Sequence, residues 1–62
     1  MKTADIRKMT VEEMEKNVQN LREEYGNLSF QHRIRPLENP SRLRKIKRDI
    51  ARLETIKRQT TN

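Results

Sequence analysis

Arg44, Lys45, Lys47, Arg48, Arg52 and Arg58 are the residues whose type and spacing point to chemistry. At roughly 100° per residue they cover about half the circumference of a helix. Leu43, Ile46, Ile50 and Leu53 recur at spacings of three, four and three and fall on the other side. Only Asp49 and Glu54 dilute the charge, and both project near the edges of the apolar stripe. Guanidinium and ammonium groups gathered on one face suit phosphate oxygens, and the planar Arg fork meets two of them at once. A solvated charged face is the competing reading. The shared face and the scarcity of acids on it favour phosphate. Arg42 opens the same stretch and is assigned with it, as are Arg33 and Arg35 beside the preceding loop, where solubility of the tip is the alternative. No Asn or Gln stands among Arg44, Lys45, Lys47, Arg48 and Arg52 to read adenine edges, so sequence-specific DNA recognition is not indicated.

Nothing else in the chain has the form of a reactive site. There is no nucleophile–base pair, Gly-rich loop or metal-ligand spacing. Two helices side by side offer no cavity in which to desolvate a substrate. No enzyme activity, cofactor, metal or small-molecule substrate is therefore expected. His32, the single histidine, continues the heptad phase from Tyr25 and reads as a seam-end residue with a wet edge. Tyr25 reads as a core residue with its hydroxyl at the rim.

Local signals place the elements that carry the basic face. Asn39-Pro40 is an N-cap followed by proline at the first helical position, where a missing N–H is harmless. The helix it starts is expected over 40–59, with Thr60, Thr61 and Asn62 frayed. Upstream, Thr10-Val11-Glu12-Glu13 has the form of a capping box, and Met9 and Met14 occupy the positions of a hydrophobic staple. Val11, Met14, Val18, Leu21, Tyr25 and Leu28 then follow heptad spacing, which predicts a helix over 11–34. Gly26 costs about 1 kcal/mol there relative to Ala; a bend or a close neighbour would account for it. Phe30 and Ile34 leave the stripe together and point outward, as a protein contact, with stacking on an RNA base as the alternative. Arg35 precedes Pro36 and so avoids the α region, which ends the helix and opens a loop over 35–39. Near the start, Thr3 is expected to cap a short turn over 4–8.

A connection this short sets consecutive helices antiparallel. The fold class is therefore all-α: a long antiparallel two-helix hairpin with a short N-terminal helical turn, in one domain over 1–62. Residue numbers at one level sum to about 74 or 75, which pairs Leu28 with Ile46, Tyr25 with Ile50, Leu21 with Leu53 and Val18 with Ile56.

Composition bounds what such an object does. Sixty-two residues with 31% hydrophobic and 39% charged side chains bury little core, so the hairpin is expected to finish folding on a partner. Residues 1–31 hold five Lys/Arg and six Asp/Glu, a net −1; residues 32–62 hold ten and three, a net +7. The partner of the second half is polyanionic, with nucleic acid the first candidate. An anionic membrane is disfavoured, because the basic face lacks the Trp, Phe and Leu wedges of an interfacial helix. No apolar run approaches the ~20 residues of a membrane span. The absence of Cys excludes disulfides and thiolate metal sites. The opening Met1 to Met9 lacks the apolar segment of a signal peptide, so a soluble intracellular protein is expected. The alternative to nucleic-acid binding is a coiled-coil protein–protein interaction module.

The stretch from Asn39 through Pro40, Ser41, Arg42, Leu43, Arg44, Lys45, Ile46, Lys47, Arg48, Asp49, Ile50, Ala51 and Arg52 to Leu53 resembles the signature of the large-subunit ribosomal protein twenty-nine family. Its core, Arg48-Asp49-Ile50-Ala51-Arg52, is the most specific part. The segments Met1–Arg7 and Asn27–Gln31 resemble the family as well. The resemblance implies a three-helix protein dominated by an antiparallel hairpin. It further implies binding to large-subunit ribosomal RNA near the polypeptide exit tunnel, beside large-subunit protein twenty-three, in support of translation by ribosomes of the cytoplasm.

Overall fold

The structure, a computed structural model, describes residues 1–61. It is all-α. Helix α1 spans Thr3–Arg7, α2 spans Val11–Ile34 and α3 spans Ser41–Thr61. The ion pairs Glu15–Lys57, Arg22–Glu54 and Glu24–Arg42 step up α2 as they step down α3, so the two long helices are antiparallel. The molecule is a rod of 41 × 17 × 14 Å.

Each helix end has a local cause. The Thr10 hydroxyl accepts from the Glu13 N–H at 3.1 Å, and Glu13 Oε1 accepts from the Thr10 N–H at 3.4 Å, which completes the capping box. Arg35 closes α2 in the extended conformation that Pro36 demands, and its N–H donates to the Gln31 carbonyl. Asn39 Oδ1 accepts from the Ser41 N–H at 3.1 Å, the N-cap bond expected of it. His32 has a more definite task than its position on the seam suggested: its Nδ1 accepts from the Leu37 N–H at 2.9 Å and so ties the loop to α2.

Two expectations at the chain ends are corrected. Thr3 does not cap α1 but lies inside it; Lys2 is the N-cap, with no side-chain bond, and its carbonyl accepts from Asp5 and Ile6. Thr60 and Thr61, expected to fray, are helical. Their hydroxyls donate to the carbonyls of Ile56 and Lys57 one turn back, at 2.9 and 3.0 Å, and α3 continues through both. Asn62, also expected to fray, lies outside the described residues.

The core sits at the end of the hairpin remote from the loop. Ile6, Met14, Val18, Leu53 and Ile56 form its buried cluster, with Met1, Met9, Leu21 and Ile50 packed against it. Of the expected pairs Val18–Ile56 and Leu21–Leu53, Val18, Ile56 and Leu53 lie in this cluster and Leu21 packs against it. Helix α1 is far too short to be stable alone. It is held because Ile6 is fully buried, which closes the open end of the hairpin. Toward the loop the packing thins: Ile46 is fully buried, while Tyr25, Leu28 and Leu43 are only partly so. Gly26 has no close neighbour, since a Cβ built there meets nothing within 4 Å, and α2 runs through it.

Candidate nucleic-acid interface

The long helix α3 turns one stripe inward and the other to solvent. Ile46, Leu53 and Ile56 are buried in the hairpin, and this fixes the rotation of the helix about its axis. Arg44, Lys45, Lys47, Arg48 and Arg58 are exposed as a result. Among the described residues none of the five side chains is in an ion pair, so their charge is not neutralised from within the chain. Arg33 and Arg35, at the loop end of α2, are exposed in the same way.

Arg42 and Arg52 differ from this group. Arg42 lies over the seam and forms an ion pair with Glu24, to which its Nε also donates at 3.0 Å. At 100° per residue it falls near the phase of Ile46, away from Arg44 and Arg48. Arg52 stays exposed but is oriented: its Nη1 donates to the Met1 carbonyl at 2.9 Å. A neutral acceptor fixes the guanidinium and leaves its charge in place.

Among the described residues the ion pairs all lie off this face. Arg22 meets Glu54 at 3.0 Å and Lys57 meets Glu15 at 3.4 Å across the α2–α3 edge. Asp49, which sequence reasoning placed at the edge of the apolar stripe, is buried, and its Oδ1 takes the Met1 α-ammonium at 2.9 Å. The acid nearest the basic stretch therefore points inward. Its phase, one turn from Ile46, was a visible signal of this; the identity of its partner was not.

Arg7 is the basic residue that periodicity along α3 missed. It stands on α1, and its Nη2 donates to Gln59 Oε1 of α3 at 3.1 Å, which brings it beside the basic face. On α2, Phe30 and Ile34 are the exposed large apolar side chains, at 63% and 70% exposure, one helical turn apart near the loop. Among the described residues no cluster of His, Cys, Asp and Glu is placed to hold a metal ion, and no helix is long and apolar enough to cross a membrane.

The family model for the ribosomal L29 protein matches residues 4–59, which takes in α2 and most of α1 and α3. The chain is 49% identical over 59 residues to large ribosomal subunit protein uL29 of Syntrophotalea carbinolica, covering 95% of each chain. It is 48% identical over 59 residues to the uL29 proteins of Bacillus cytotoxicus and Bacillus cereus, covering 95% of this chain and 89% of theirs. No solved structure matches the chain. The match of the family model along nearly the whole hairpin, together with relatives identical at almost half of their positions, makes this chain a member of the ribosomal L29 protein family.

Proposed function

We propose that this chain is a structural constituent of the large ribosomal subunit that binds large-subunit ribosomal RNA through the outward face of α3. The observation that carries this reading is the row Arg44, Lys45, Lys47 and Arg48, exposed and free of carboxylates. Arg52 extends the row, and Arg33 and Arg35 continue it at the loop end. Arg42 takes part only by exchanging Glu24 for a phosphate. The relatives' names support the assignment to the large subunit. A place near the polypeptide exit tunnel beside large-subunit protein twenty-three, in ribosomes of the cytoplasm, follows the family resemblance. Phe30 and Ile34 then serve as the contact with that neighbouring protein.

Binding of the full chain to deproteinised large-subunit RNA, measured across a range of salt, tests the reading. Neutralising phosphates releases counterions, so log K falls linearly with log salt. Replacing Arg44, Arg48 and Arg52 together by Gln lowers the slope by about one unit for each phosphate no longer neutralised. An unchanged slope refutes the assignment of this face.

A further inference from the structure

A groove of about 310 Å³ runs between α1 and α3, and Arg7, Arg48 and Arg52 stand in its walls. Thr3, Ala51 and Ile56 complete much of its lining, and no carboxylate lines it. Its volume is at the small end of ligand-sized sites. Arg7 is anchored by Gln59 Oε1 and Arg52 by the Met1 carbonyl, both neutral acceptors. Arg48 has no partner among the described residues. Elsewhere the chain treats its arginines differently: Arg22 and Arg42 are each neutralised by a glutamate. Each guanidinium has five N–H donors, so a single bond to a neutral oxygen aims the group and leaves most of its donors unused. Thr55, also in the lining, turns its hydroxyl back to the Ala51 carbonyl at 2.9 Å, which leaves a largely apolar floor.

We propose that this groove is a phosphodiester-binding site, in which Arg7 of α1 joins Arg48 and Arg52 of α3 around one backbone phosphate of an RNA strand, with the adjoining ribose against Ala51 and Ile56. This rests on the reading of α3 as an RNA-binding face and adds a residue to it from another helix. The site is composite. Arg7 reaches α3 only because Ile6, the residue before it, is buried beneath α1 and holds the turn in place. The short N-terminal helix thus contributes to recognition as well as to closing the core.

The test uses the full chain and deproteinised large-subunit RNA across a salt series, with R7Q, K8Q, Q59A and R44Q. Lys8 is a neighbouring cation, also exposed, that does not line the groove. R7Q is expected to weaken binding several-fold and to lower the salt slope by about one unit, whereas K8Q changes the slope by clearly less. Equal effects of R7Q and K8Q overturn the groove, since both then report only net charge. Q59A removes the anchor of Arg7 but keeps its guanidinium. A slope retained in Q59A supports a phosphate contact; a slope that falls as in R7Q overturns it in favour of a loosened α1. If R7Q has no effect while R44Q flattens the slope, the groove fails and the α3 reading stands. If neither has an effect, both fail.

Discussion

The Met1 α-ammonium lies 2.9 Å from Asp49 Oδ1, and Asp49 is the buried charged side chain of the described residues. The two residues are 48 positions apart in the chain. Their pairing pins the first residues to the middle of α3, beside the Arg52 bond to the Met1 carbonyl. Truncating Asp49 to Ala leaves the ammonium without its partner. The expected loss is about 2–3 kcal/mol, below that for a fully buried pair because Met1 retains some solvent contact. Asp49→Leu should recover part of the loss by filling the volume with apolar atoms. Urea denaturation of the three proteins measures both steps.

Gly26 lies within α2 with room for a side chain and no neighbour to displace. Its φ is not positive, so an L-residue fits the backbone. Gly26→Ala is expected to stabilise the chain by about 0.5–1 kcal/mol through reduced entropy of the unfolded state. A rise in the thermal midpoint with unchanged RNA binding is the predicted result.

Glu24 holds Arg42 on the seam. The pair is exposed, so its contribution to stability is small, about 0–1 kcal/mol. Glu24→Gln releases the guanidinium and removes a repelling charge. RNA binding at low salt is expected to tighten, and Arg42→Gln is expected to weaken it less than Arg44→Gln. Filter binding at one fixed salt concentration compares the three variants.

Phe30 and Ile34 are solvated in the isolated chain. Phe30→Ala and Ile34→Ala should therefore change its stability by no more than about 0.5 kcal/mol. Their effect is expected in assembly: the doubly substituted chain should be recovered with large subunits in less than stoichiometric amount. Full recovery would remove the protein-contact role of this pair.

The helices were legible because their causes are local. The capping box joins residues three apart, Asn39 caps the residue two ahead of it, and Pro36 acts on its immediate neighbour. The apolar stripe of α3 likewise showed which side must face a partner. The C-terminal threonines were not legible, because hydroxyl bonds to carbonyls one turn back compete with fraying, and residue type alone does not rank the two.

The candidate interface was legible only as a set of cations. Arg42 and Arg44 are the same residue type two positions apart, yet one faces a glutamate and the other faces solvent. Periodicity and caps act over a few residues, so the amino-acid order was enough to set the hairpin, its turn and its basic stripe. Which arginines keep an unneutralised charge, where Asp49 finds its counter-ion and how Arg7 comes to stand beside Arg48 depend on groups 18 to 52 residues apart in the chain. Electrostatic pairing acts through space, and those separations closed only when α1 and α2 packed onto α3.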